Sequence, residues 1–156
     1  MELEIGQVIA ILANVGVISG IVFLAMQVRQ TNRLSAAQAR YMLRQYRSDI
    51  ADSLMQPNVL EATHKWARGE DLTDEERSTG LMVAIKIIEL YEWQFGEYFA
   101  GMLRMNELPV GSWRMWFHGK GPFPVPLQEI YALRKDVLNP EFVKFFEENV
   151  VSRPIE

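Results

Sequence analysis

The chain has 156 residues, 49% hydrophobic and 23% charged, with a formal net charge of −4 and no cysteine. Without a thiol it can form no disulfide, thiolate zinc site or cysteine-held iron–sulfur cluster, and it has no cysteine nucleophile. The charge is divided: residues 1–48 hold two acids and five bases (+3), and residues 49–156 hold 18 acids and 11 bases (−7). The acidic balance of the larger part argues against nucleic-acid binding, which requires a basic face.

Ile5 to Val28 is a run of 24 residues with no charge. As a helix it extends about 36 Å at about 1.5 Å per residue, enough for a hydrocarbon core about 30 Å thick. A helix satisfies its own backbone hydrogen bonds, which hydrocarbon cannot do. Two other readings fit less well. Core helices of soluble proteins are usually shorter and polar on one side, and a secretory signal starts with basic residues, whereas this chain starts Met-Glu-Leu-Glu. Residues 1–28 are thus predicted to be a transmembrane anchor. Glu2 and Glu4 precede the run, while Arg29, Arg33, Arg40, Arg44 and Arg47 follow it before any acid. Arginine near a span end stays on the cytoplasmic side. The expected placement is a single pass through the inner (cytoplasmic) membrane, N-terminus outside and C-terminal domain cytoplasmic.

One face of the span is small. Gly6, Ala10, Ala13, Gly16 and Gly20 recur at spacings of three and four, and Gly16 to Gly20 is a GxxxG. Small residues let a second helix approach closely, and Asn14 and Ser19 add hydrogen-bonding groups. These seven residues form the candidate helix–helix contact, with another protein's spans or with a second copy. Glycine is also simply common in membrane helices.

Residues 29–56 read as a juxtamembrane basic helix. Ala36, Ala39, Leu43, Tyr46, Ile50 and Leu54 keep one helical stripe. Nothing between Arg29 and Gln56 is proline or glycine, so near-continuity with the span is favoured, although Ser35 and Gln38 offer a capping box and hence a break. Arg29, Arg33 and Arg40 are candidate lipid-headgroup contacts. The alternative for Arg40, Arg44 and Arg47 is a solvated face paired with the acidic domain.

Residues 57–156 are predicted to be a cytoplasmic helical domain. Asn58 is the expected cap of a short helix over 58–68, with Pro57 stopping the preceding pattern. Thr73 to Glu76 is a capping box with acids in the first turn. It opens a helix over about 74–100, with Leu81, Ile85, Ile88, Tyr91 (or Glu92), Phe95 and Phe99 on one face. Leu90, Trp93 and Tyr98 add apolar surface, which puts this helix at the centre of the domain. From Met102 to Pro126 the chain is irregular, and Trp113, Trp116 and Phe117 fit one helical turn. These rings either plug an open end of the bundle or form an interfacial or partner-binding patch. Leu127–Val137 is helical. Asn139-Pro140-Glu141 caps a last helix over about 140–150, with Phe142, Phe145, Phe146 and Val150 inward. The fold class is all-α: a transmembrane helix continuing into a small bundle.

Chemistry is sparse. Glu61 to His64 spells Glu-x-x-His, but di-iron sites need a second copy and two further glutamates. His118 has Met115 three residues before it. Glu89 and Glu92 sit at i and i+3 on the central helix, where glutamates are usually solvated or ion-paired. No phosphate loop, dinucleotide fingerprint, nucleophile elbow or zincin motif is present, and no cofactor is expected.

The run Phe23-Leu24-Ala25-Met26-Gln27-Val28-Arg29-Gln30-Thr31-Asn32-Arg33 resembles a group of small, uncharacterised bacterial membrane-anchored proteins. In these, an apolar span ends in a leucine-alanine-x-glutamine-isoleucine-arginine-glutamine-asparagine-like sequence. The glutamate-rich aromatic run Ile88 to Phe95 and the closing Asn139 to Phe142 are similar to later parts of that group. The order Thr31-Asn32 departs from its pattern. The resemblance implies location and fold; it carries no activity and no site residue.

The expected function is a non-catalytic accessory or interaction subunit of a larger membrane complex, an energy-transducing one among the candidates. Its expected partners are membrane lipid and other transmembrane helices. The alternatives are a self-associating scaffold using the GxxxG, and a membrane-surface enzyme or small-ligand sensor using Glu89, Glu92 or His64.

Overall fold

α1 is one unbroken helix, Ile5–Leu54. Its sequence explains the continuity: the next proline is Pro57, and Ser35 lies inside the helix instead of capping a new one. The computed structural model describes residues 5–154; Glu2 and Glu4, invoked above for orientation, lie outside the described residues. Two compact units divide the chain, Met1–Gln38 and Ala39–Glu156. The folded domain thus begins inside α1 at Ala39, eighteen residues before the position 57 expected from the basic-helix reading. The reason is the apolar stripe: Ala39, Leu43, Ile50 and Leu54 are all buried, and the last three belong to the domain core.

Pro57 both ends α1 and opens α2 (Pro57–Arg68), where it occupies the first turn and its missing N–H costs no hydrogen bond. The cap position is therefore Gln56, in extended conformation, and not Asn58. α2 closes on Gly69 at φ +66°, a left-handed conformation that glycine adopts without a Cβ penalty.

α3 (Asp74–Phe99) starts as its capping box dictates. The Glu76 N–H donates to Thr73 Oγ1 at 3.2 Å, and the Thr73 N–H donates back to Glu76 Oε2 at 2.9 Å. The Glu76 carboxyl also accepts from Lys65 of α2. That bond first, then the Thr73 N–H, holds it below the ordinary carboxylate range. Thr73→Ala is expected to lower stability by about 1 kcal/mol, read as a lower urea midpoint of the full chain in mild detergent at unchanged transition steepness.

α3 lies at the centre. It packs on α2, α5 (Leu127–Arg134) and α6 (Pro140–Phe146), and its buried set runs from Val83 and Ala84 through Ile87, Ile88, Leu90 and Tyr91 to Gln94 and Phe95. Burial on more than one face agrees with the central position expected, whereas Phe99, expected on the main face, is 72% exposed. α4 (Val110–Phe117) is a full short helix within the stretch expected to be irregular. A 3-10 turn, Met105–Glu107, precedes it. A second 3-10 turn extends α5 through Val137. The Asn139 side chain accepts from the Glu141 and Phe142 N–H groups and starts α6, which continues as a π-helical turn, Glu147–Val151. Phe142, Phe146 and Val150 have no exposed surface; each side chain buried in this way contributes about 1.5–3 kcal/mol of hydrophobic stabilisation. All regular elements among the described residues are helical.

Candidate functional site

Two features stand out: the apolar part of α1, and a cleft in the Ala39–Glu156 unit. In the first, every residue from Ile5 to Leu34 is exposed, and α1 is the one helix among the described residues long and apolar enough to cross a membrane. Gly6, Ala10, Ala13, Asn14, Gly16, Ser19 and Gly20 all lie within this exposed helix. A Cβ added at Gly6, Gly16 or Gly20 would meet no atom within 4 Å. The glycines are therefore not required by packing within the chain.

The arginines divide between the two units. Arg29 and Arg33 are exposed in the first. Arg40, expected at lipid headgroups, instead pairs with Glu107 of its own domain at 2.9 Å and keeps 46% of its side chain exposed. The Glu107 carboxyl, which also accepts from the Arg104 N–H at 2.8 Å, is held below the ordinary carboxylate range, first by Arg40 and then by that N–H. This is the pairing with the acidic domain given above as the alternative.

The expected aromatic patch does not form as one surface. Trp113 is 1% and Phe117 6% exposed; both are core. The physical reason is Gln94. Its side chain, 1% exposed, accepts the Trp113 indole N–H at 3.1 Å, so the one polar group of the indole is satisfied inside the domain. Trp113 also stacks on Tyr91 with centroids 4.9 Å apart, and Phe117 meets Phe146 edge-on at 5.3 Å. Only Trp116 is half-buried, beside Phe123 at 6.3 Å. Gly121 allows this: a Cβ there would lie 3.1 Å from the Trp116 ring.

Trp116 forms one wall of the cleft, which has a volume of about 470 Å³. α1 supplies Arg47, Ile50, Ala51 and Leu54. α3 supplies Ile87, Leu90, Tyr91 and Gln94. Ser112, Trp113 and Trp116 come from α4, with Pro109 before it and Phe123 after it. Burial pushes the Tyr91 hydroxyl far above its usual value, a shift that the nearby Arg47 charge partly offsets. Neither Gln94 nor the cleft was foreseen from the sequence.

The residues considered for catalysis have structural partners or face solvent. Glu61 pairs with Lys65 at 3.5 Å and His64 is exposed. Glu89 pairs with Arg134 at 3.2 Å. Glu92 accepts the Asn139 N–H. His118 Nε2 lies 2.9 Å from the Val150 carbonyl. Among the described residues no three His, Asp or Glu side chains group as metal ligands would. Comparison with protein-family models, curated proteins and solved structures returns no match.

Proposed function

We propose that this protein is a non-catalytic, membrane-anchored accessory subunit, held in the inner membrane by Ile5–Val28 and docked there on other transmembrane helices. The bacterial membrane-anchored group that its sequence resembles agrees with this placement. The observation that carries the reading is the exposed, uncharged helix whose glycines no internal packing requires. In hydrocarbon, helices associate through close backbone approach and interhelical hydrogen bonds. Gly16, Gly20, Asn14 and Ser19 offer both.

Gly16→Ile with Gly20→Ile is the test. After gentle solubilisation at native expression, the parent is expected to co-purify with a fixed membrane-protein partner, and the double variant to separate from it at unchanged domain melting temperature. A parent that runs as a free monomer opposes the reading. One that runs as a homo-oligomer, lost in the double variant, favours the self-associating scaffold.

The basic residues after the span support a cytoplasmic domain by the positive-inside rule. Because the chain has no cysteine, single introduced thiols report topology cleanly. In intact spheroplasts an impermeant maleimide is expected to label Glu2→Cys, and to label Asp71→Cys only after lysis. The reverse pattern would invert the topology.

A further inference from the structure

We propose that the cleft between α1, α3 and α4 binds a single-chain anionic amphiphile, an alkyl carboxylate, with its chain along the apolar walls and its head group on Arg47. The volume of about 470 Å³ falls within the range of about 300–1,000 Å³ typical of small-ligand sites. Such sites join apolar walls to a few placed polar groups. Here Ile50, Leu54, Ile87, Leu90, Trp116 and Phe123 supply hydrocarbon and ring surface.

The polar groups select the head. Gln94 Oε1 accepts the Trp113 indole N–H at 3.1 Å, which occupies those two groups and leaves the Gln94 amide N–H groups as neutral donors beside the head. Arg47 is the one ionised side chain among the lining residues. Among the described residues it has no carboxylate within ion-pair distance, whereas Arg40, two turns earlier on the same helix, is held by Glu107. A guanidinium with no internal partner, at an apolar cleft, offers its planar fork to a carboxylate. Arg47 is exposed and hydrated, so a neutral head loses only the charge-assisted bond that a carboxylate makes there, while a cationic head is repelled. The ligand is the free acid itself, whether it partitions out of a bilayer or arrives from solution. Nothing in this assignment depends on whether Ile5–Val28 lies in a membrane.

The test is photolabelling of the full chain in nanodiscs with a diazirine-bearing dodecanoate, the labelled peptides being located by mass spectrometry. Saturable labelling within residues 47–54, 87–94 and 112–123 is expected. Excess dodecanoate should compete, dodecanol about tenfold more weakly, as the loss of one charged contact implies, and dodecyltrimethylammonium more weakly still. Arg47→Met is expected to raise the half-saturating concentration about tenfold or more, as loss of a charged hydrogen bond does, and Arg47→Lys to raise it less. Ala51→Trp, which fills the cleft, is expected to abolish labelling while the domain still melts cooperatively. A diacyl phospholipid bearing the same diazirine is expected to leave these peptides unlabelled; labelling by it as strong as by the free acid would oppose a single-chain carboxylate. Labelling confined to residues 5–28, equal competition by dodecanol, or unchanged labelling in a folded Arg47→Met protein would overturn the assignment.

Discussion

Replacing Trp113 by alanine is expected to lower the stability of the Ala39–Glu156 unit by about 3–5 kcal/mol, the cost of truncating a buried large aromatic side chain. Whole domains are stable by only about 5–15 kcal/mol, so the variant should unfold at far lower urea concentration. Three losses combine. The indole leaves a cavity in the core, Tyr91 loses the ring that stacks on it at 4.9 Å, and Gln94 keeps a buried carbonyl oxygen with no donor. Two further variants separate them. Trp113→Phe keeps most of the ring but removes the N–H, at about 1–3 kcal/mol for the orphaned oxygen. Trp113→Phe with Gln94→Leu removes both partners and is expected to recover much of that loss, because neither polar group then remains to be satisfied. Urea unfolding followed by far-UV circular dichroism reads all three. A change in Trp113→Ala within about 0.5 kcal/mol, as for a surface position, would contradict the burial of this side chain.

Trp113 also shows where sequence reading stops. The spacing of Trp113, Trp116 and Phe117 places all three near one face of a short helix, but spacing cannot say what that face meets. Its partner is Gln94, a polar residue that shares a helical face with Ile87, Leu90 and Tyr91 and whose amide gives no local sign of what it meets. The cleft is non-local for the same reason: its walls come from positions between 47 and 123. The Arg40–Glu107 pair joins residues 67 apart in sequence, and no local rule selects it. Features with local causes were legible. The Thr73–Glu76 box starts α3, Asn139 and Pro140 start α6, and the stripe from Ala39 to Leu54 enters the core. Pro57 falls between: its power to stop a helix was read, but not its equal fitness to begin the next, and the cap was set two residues late.

Arginine at both Val15 and Ile18 is expected to release the protein from the membrane. Each lies near the middle of the 24-residue run, where an arginine costs about 2.5–3.5 kcal/mol on insertion. The pair together costs roughly 5–7 kcal/mol, about four orders of magnitude in partition at about 1.4 kcal/mol for each factor of ten. Neither parent side chain is spent on internal packing: Val15 is 54% and Ile18 61% exposed. The folded domain should thus keep its melting temperature, and the change should appear only in location. The parent is expected to stay in the pellet after alkaline carbonate extraction. The double variant should appear in the supernatant or be degraded, and Val15→Leu with Ile18→Leu should behave as the parent. If this helix met water in the native protein, two added charges would be nearly neutral and extraction would not change. A double-arginine variant as resistant to carbonate as the parent would therefore remove the anchor, and with it the reason for reading Gly16 and Gly20 as a surface for another span.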